Sequence, residues 1–271
     1  MQFIAMAEIS ERAHLAEVAV RLHQNGWVAN HDGNVSLRLA SGRYLATPTA
    51  TSKAAVRADN LIVVDDSGAR VSGSGKPFSE INLHLTVYRL RADVRAVVHA
   101  HPRAATAFAV AGLALDRPFI AEAVVSLGPS IPLVPFALPG AAAAEAIAPF
   151  VREHDAVLLG NHGVLTWGAD LEQAYLRMEL VEHLAAIASL ARGLGDIRPL
   201  PASALAPLIE ARRKAGFVVG AAAPALAQTV VACAPAPLGS NVTVYERPRN
   251  AAKHDVTAII REEIARALAE K

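Results

Sequence analysis

The sequence predicts an α/β protein, with a mixed β-sheet flanked by helices. Apolar residues at helical spacing alternate along the chain with short apolar runs of strand length. Segments rich in glycine, proline and aspartate separate these elements. Two of the short runs also end in histidines, where side chains could meet at one edge of a sheet. At 271 residues the chain is long enough to form a full hydrophobic core.

The first part of the chain reads as a helix, three strands and a second helix. Apolar residues recur at helical spacing over residues 9–25, and Asn25-Gly26 ends that pattern. A helix is also predicted from Phe78 to about Leu90. The predicted strands between these helices are short and bounded by turn residues; they cover residues 35–39, 44–46 and 61–64.

The middle of the chain continues the alternation. Asp170 is a predicted N-cap for a long helix that runs to about Arg192. Shorter helices are expected over residues 103–111 and 141–151. The predicted strands are the run that carries His99 and His101, followed by residues 133–136, 156–159 and 165–168.

The character of the sequence changes after Gly195. Residues 196–241 are rich in proline and alanine with weak periodicity, and residues 255–270 are predicted to form a terminal helix. We therefore expect residues 1–195 to form the domain that carries the motifs described below. Residues 196–271 are expected to be a C-terminal extension and not an independent domain.

Composition argues against several classes of function. A formal net charge of +1, with no basic run interleaved with aromatics, gives no reason to expect nucleic-acid binding. We expect no membrane span, because no stretch of about eighteen apolar residues is uninterrupted. The single cysteine, Cys233, excludes an intramolecular disulfide and suits a reducing, cytoplasmic compartment.

Three histidines form the most informative pattern. His99 and His101 are two residues apart on a predicted strand, so their side chains point to the same side of the sheet. His162 ends another apolar strand, between Gly160 and Gly163, which permit close backbone approach. Three neutral imidazoles with one open position are typical of a catalytic zinc site. The alternative is that they are hydrogen-bonded core histidines.

Polar loops accompany the histidines. They comprise residues 32–36, the hydroxyl-rich residues 47–53, and residues 72–80, which lead into a helix. A helix N-terminus favours a phosphate or carboxylate. Each loop alone could also be an ordinary turn, and Glu80 could simply be a first-turn carboxylate that complements the helix dipole.

Taken together, these motifs resemble the class II aldolase/adducin family over roughly residues 10–192. The motifs occur in the family's order: Gly33-Asn34-Val35-Ser36, Thr47-Pro48-Thr49, Ser79-Glu80, His99-Ala100-His101 and Asn161-His162-Gly163. The resemblance implies a three-layer αβα fold and a homotetramer with sites between subunits. It also implies His99, His101 and His162 as metal ligands, Glu80 as catalytic acid/base, and Asn34, Thr49 and Ser79 as an anion pocket.

The chemistry expected of such a site is cleavage of a C–C bond in a small ketose or its phosphate. A divalent ion, Zn²⁺ or another such as Mn²⁺, would stabilise an enediolate by Lewis-acid action. Glu80 would move the proton if burial raised its pKa. The same groups could decarboxylate a hydroxy acid, or dehydrate or epimerise a ketose phosphate. A non-catalytic adducin-like scaffold is disfavoured, because it would be expected to lose the metal ligands that this chain keeps.

Several residues depart from the family pattern. Phe78 and Ala50 stand where a serine and a glycine are common, which puts phosphate recognition in question. No clear counterpart exists for a tyrosine expected to protonate the leaving group, although Glu122 and Tyr245 are candidates. His84, one helical turn after Glu80, could orient that carboxylate, but we favour a surface or packing role.

Overall fold

The computed structural model describes the backbone of residues 2–220 and the side chains from Glu8 onward. The predicted helix over residues 255–270, the single cysteine Cys233 and the candidate Tyr245 lie outside the described residues.

The described strands form one eight-stranded sheet in the order β4-β3-β2-β1-β5-β8-β7-β6. Neighbouring strands are antiparallel except β6 and β7, which are parallel, so the predicted mixed sheet is confirmed. The strands are β1 (Asn34–Arg38), β2 (Tyr44–Ala46), β3 (Ile62–Val64), β4 (Arg70–Ser72), β5 (Ala96–Ala100), β6 (Leu133–Val134), β7 (Ala156–Leu159) and β8 (Gly163–Gly168).

Helices cover both faces of the sheet, which gives the predicted three-layer αβα arrangement. One hydrophobic cluster joins the sheet to the first, third and sixth helices, and a second cluster joins its other face to the second and fifth. None of the described helices is long and apolar enough to cross a membrane. The helices are α1 (Gln2–Gln24), α2 (Ile81–Leu90), α3 (Arg103–Val110), α4 (Ala121–Ser126), α5 (Ala141–Val151), α6 (Leu171–Leu194) and α7 (Ala202–Lys214).

The register of the central strands positions the histidines. His99 on β5 pairs with Asn34 on β1 and with Leu165 on β8. Val98 and Ala100 pack in the cluster below α1, α3 and α6, whereas Val97 packs in the cluster on the side of α2. By strand alternation His99 lies on the α2 side of the sheet, where Glu80 precedes that helix.

Three elements were not predicted from the sequence. β4 is a fully exposed strand of three residues at the sheet edge, and α4 is only six residues long, so neither has a clear periodic pattern. α7 carries Pro207 in its interior, which disfavours a helix. It is held by tertiary contacts instead, since Leu205 and Arg212 are buried.

A buried ion cluster fastens α7 to the rest of the fold. Asp155, immediately before β7, has no exposed surface. Its Oδ1 lies 3.0 Å from Arg91 Nη2, and its Oδ2 lies 2.9 Å from Arg177 Nη2. Arg212 on α7 also donates to Oδ2. One carboxylate thus joins the end of α2, the middle of α6 and α7.

Asp155→Asn should destabilise the protein by about 3–5 kcal/mol, because it leaves buried guanidinium groups without their counter-charge. Urea unfolding at equilibrium measures this change in the free energy of unfolding. Asp93→Asn is the matched control: Asp93 also binds Arg91, but its side chain is 60% exposed, and it should cost less than about 1 kcal/mol. Equal effects of the two substitutions would contradict this account.

Candidate metal centre and active site

The three predicted histidines converge at one end of the sheet. His99 is the penultimate residue of β5, His101 follows that strand, and His162 lies in the turn between β7 and β8. Their ring centroids lie 4.7 to 5.1 Å apart. One nitrogen from each ring lies within 4.8 Å of the others, close enough for a single ion to reach all three.

Hydrogen bonding leaves a nitrogen lone pair in the space between the rings. His99 Nδ1 lies 2.9 Å from the carbonyl oxygen of Val164. Because a carbonyl can only accept, we assign the hydrogen to Nδ1, and Nε2 keeps its lone pair. His101 Nε2 lies 3.1 Å from His99 Nε2. With its own hydrogen on Nδ1, which lies 3.7 Å from Asp32 Oδ2, His101 would also turn a lone pair to this space. A cation there would satisfy both lone pairs, so the donor set fits a metal ion.

Glu80 brings a carboxylate to the same point. Its Oε1 lies 2.9 Å from His162 Nε2, and its Oε2 lies 3.5 Å from His99 Nε2. Asn34 Nδ2 donates to Oε2 at 2.9 Å. Among the described residues, Oε1 is buried without a hydrogen bond of acceptable geometry, despite the nearby imidazole. An unsatisfied carboxylate oxygen beside three imidazoles is a second feature that fits a cation.

The protonation of these groups is set by burial and by their mutual charges. Burial lowers the pKa of His99, and burial together with the neighbouring His99 and His162 lowers the pKa of His101 to about 3. Burial alone would raise the pKa of Glu80, but His99, His162 and the Asn34 hydrogen bond together hold it well below its usual range. These neighbours therefore oppose the rise in the pKa of Glu80 that the sequence suggested and that burial would cause.

The predicted anion-binding residues share a cavity with this centre. The cavity has a volume of about 280 Å³, and Asn34, Thr49 and Ser79 line it together with Glu80, His101 and His162. His99 lies behind His101 and has no exposed surface. The structure thus brings all seven predicted site residues to one place. A smaller apolar recess adjoins Glu80 and His162, lined by residues of α5 and of the segment after β6.

Two glycines and an asparagine make the approach of the loops possible. A Cβ at Gly163 would lie 2.5 Å from His101 Cδ2 and 2.6 Å from the carbonyl oxygen of Ala100. A Cβ at Gly33 would lie 2.9 Å from the carbonyl oxygen of His99. Asn161 has a φ of 53°, a conformation that asparagine tolerates better than most residues. The predicted close approach around His162 is confirmed.

The departures from the family pattern have structural consequences. Phe78 is buried, lines the cavity and packs edge-on against His84 at 5.0 Å between ring centroids. Ala50 has a φ of 55°, so an alanine adopts the left-handed conformation that glycine adopts at little cost.

His84 is fully buried, so the surface role considered for it is wrong. Its Nδ1 lies 2.7 Å from Ser36 Oγ, which also contacts Tyr88 Oη at 2.8 Å. The hydrogen bond of His84 therefore goes to β1 and not to Glu80. This agrees with the packing role predicted for it.

Glu122 is exposed in the first turn of α4, and it does not line the cavity that holds Glu80.

Sequence reasoning missed Lys53. Lys53 is the last residue of the hydroxyl-rich loop 47–53, where a lysine would be expected to reach solvent, yet its surface is only 2% exposed and it lines the cavity. Its Nζ donates to the carbonyl oxygens of His31 and Thr51 at 3.0 and 2.9 Å. No periodicity or motif in the sequence signals this burial.

Comparisons with known proteins place the chain in a family. The profile of the family described as "Class II Aldolase and Adducin N-terminal domain" matches residues 13–189. The 3-oxo-tetronate 4-phosphate decarboxylase of Escherichia coli K12 is 35% identical over 77% of this chain and 99% of that protein. The L-fuculose phosphate aldolase of Methanococcus maripaludis C7 is 33% identical over 60% of this chain and 88% of that protein.

A solved structure leads to the same family. The crystal structure of YgbL from Escherichia coli is 33% identical and superposes with a TM-score of 0.70, covering 74% of this chain and 99% of that one. These relatives are named for decarboxylation and for aldol cleavage. Aldol cleavage is the leading prediction from the sequence, and decarboxylation is one of its alternatives. The chain belongs to the class II aldolase and adducin family.

Proposed function

We propose that this protein is a divalent-metal-dependent lyase that removes CO₂ from a small phosphorylated 3-oxo acid. The observation that carries the proposal is the convergence of three imidazole nitrogens and the Glu80 carboxylate at one cavity. The similarity to 3-oxo-tetronate 4-phosphate decarboxylases supports the reaction and the substrate class. 3-Oxo-tetronate also carries a hydroxyl beside its carboxylate, so it falls within the hydroxy acids that the sequence suggested as decarboxylase substrates.

His99, His101 and His162 are the proposed metal ligands. Zinc is the proposed ion, because zinc commonly takes three imidazoles and leaves a fourth position for substrate. Manganese, the other ion considered, belongs with oxygen-rich ligand sets. When bound, the ion supplies Lewis-acid stabilisation of the negative charge that develops beside the breaking C–C bond.

Glu80 is the proposed acid/base. Loss of CO₂ leaves an electron pair on the carbon next to the ketone, and that carbon then takes up one proton. The Glu80 carboxyl group could deliver this proton after taking one up from water, once an ion on the histidines replaces the imidazole contacts that keep Glu80 ionised. The Asn34 amide, by donating to Glu80 Oε2, fixes the direction of the carboxyl group. Because Asn34, Thr49 and Ser79 line the cavity, we retain them as the proposed substrate-binding residues.

Aldol cleavage of a ketose phosphate is the second candidate, favoured by the similarity to L-fuculose phosphate aldolases. The two reactions share a product in principle. Decarboxylation of 3-oxo-tetronate 4-phosphate and aldol cleavage of a ketulose 1-phosphate both leave dihydroxyacetone phosphate. They differ in proton transfers, because aldol cleavage must also remove a hydroxyl proton from the departing aldehyde.

A homotetramer with sites between subunits remains the proposed assembly. Phe136 and Leu138 are 61% and 69% exposed, in the segment whose Pro139 lines the cavity. Covering these side chains in a subunit contact would remove apolar surface from water next to the site. Light scattering coupled to gel filtration should give four times the chain mass, and a monomer mass would contradict this assembly.

His101→Ala should remove most of the bound metal, because two imidazoles and one carboxylate hold an ion less firmly than the full set. Elemental mass spectrometry of the purified variant measures the occupancy per chain. His183→Ala, at an exposed position on α6, is the control and should retain the wild-type occupancy. Full occupancy in His101→Ala would overturn the ligand assignment.

Glu80→Gln should keep the metal but lower turnover by roughly 10²- to 10⁴-fold, the usual contribution of a general acid/base. The assay follows CO₂ and dihydroxyacetone phosphate formed from 3-oxo-tetronate 4-phosphate. Glu122→Gln is the matched control: it makes the same chemical change at an exposed carboxylate and should leave turnover unchanged. Wild-type turnover in Glu80→Gln would exclude Glu80, and lost turnover in Glu122→Gln would make Glu122 the proton donor.

A further inference from the structure

We infer that Lys53 is the cation that recognises the phosphate group of the substrate. The inference rests on the proposed function, since it concerns how the same cavity holds a phosphorylated substrate. Among the described residues that line this cavity, Lys53 is the one lysine or arginine. The others that carry a charge or can ligate a metal are acids and histidines.

The Lys53 ammonium keeps one hydrogen-bond donor that an anion could use. Two of its three N–H groups donate to the carbonyl oxygens of His31 and Thr51, which leaves one donor without an assigned partner. Within the described part of the chain, the two acids that line the cavity contact histidines instead: Asp32 Oδ2 lies 3.7 Å from His101 Nδ1, and Glu80 Oε1 lies 2.9 Å from His162 Nε2. A cation that is 2% exposed and lacks a counter-ion is costly, and an anion in the cavity would relieve that cost.

Burial also changes the pKa of the Lys53 ammonium. Removal from water lowers its pKa to about 8, and the charge of Asp32 opposes this shift only in part. A phosphate in contact with the ammonium would stabilise its charged form. The neighbouring Thr49 and Ser79 hydroxyls could complete the coordination of phosphate oxygens, because all three residues line the same cavity.

The charge balance of the cavity also favours an anionic ligand. Asp32 and Glu80 are the acidic residues among its lining side chains. With a divalent ion on the histidines and Lys53 charged, positive charges exceed these two carboxylates by one. The cavity therefore favours an anionic substrate. Phe78, which removes a hydroxyl expected in a phosphate pocket, leaves the recognition to a charge-assisted contact instead.

A binding experiment on the zinc-loaded protein tests this inference without relying on turnover. Dihydroxyacetone phosphate and unphosphorylated dihydroxyacetone are the probes, and they differ only in the phosphate. Lys53→Met should weaken binding of dihydroxyacetone phosphate by about 10- to 100-fold, the range for a lost hydrogen bond to a charged group. Binding of dihydroxyacetone should stay unchanged, and so should the metal content.

Lys76→Met is the matched control. Lys76 is exposed in the loop before α2, and its carbonyl oxygen accepts from the Thr49 amide, so the same charge is removed close by but outside the cavity. This variant should bind both probes as the wild type does. Equal losses for the two probes in Lys53→Met would show that Lys53 only holds the loops together, and would overturn the inference.

A crystal of the zinc-loaded wild-type protein soaked in dihydroxyacetone phosphate gives a test that no variant's folding can obscure. The inference requires a phosphate oxygen within hydrogen-bond distance of Lys53 Nζ, and a phosphate bound elsewhere overturns it. The proposed reaction fails separately: binding through Lys53 without CO₂ release would contradict the decarboxylase alone. Decarboxylation with unchanged phosphate binding in Lys53→Met would contradict this inference alone.

Discussion

The site depends on how closely the turn after β7 approaches the end of β5. Gly163 lies so near His101 and the Ala100 carbonyl that a methyl group there would overlap both. This contact brings His162, the residue before it, beside His99 and His101. The antiparallel pairing of β5 with β1 and β8 sets which residues neighbour His99: Asn34 lies opposite it on β1, and Leu165 lies opposite it on β8. The convergence of the three histidines is therefore set by this turn together with the register of the sheet.

Glu80 links the three histidines to the helical layer on their own side of the sheet. It precedes α2, the helix that packs on the His99 side of the sheet, and its carboxylate reaches both His162 and the Asn34 amide. The carboxylate is thus held by charge and by a directed hydrogen bond. An ion on the histidines would compete for those nitrogens and change the acidity of Glu80, so its protonation in the working enzyme follows the state of the metal centre.

Much of this arrangement was predictable, because its signals are local. Two histidines at alternate strand positions, and a third between glycines, indicate their shared side without any tertiary information. The mixed sheet and most of its helices follow from periodicity. By contrast, α7 depends on the ion pair of Arg212 with Asp155, which lies far away in sequence. The burial of Lys53 depends on the carbonyl oxygen of His31. The pKa of Glu80 depends on the imidazoles of His99 and His162, which are distant in sequence. Such long-range contacts leave no periodic signal.

The most direct test of the account is anomalous diffraction from crystals of the purified protein, recorded on both sides of the zinc absorption edge. The account predicts one anomalous peak bound by His99, His101 and His162, with metal–nitrogen distances of roughly 2.0–2.1 Å. A peak at another site, or histidines joined only by hydrogen bonds in protein supplied with zinc, would contradict the central claim that these three residues form a catalytic metal centre.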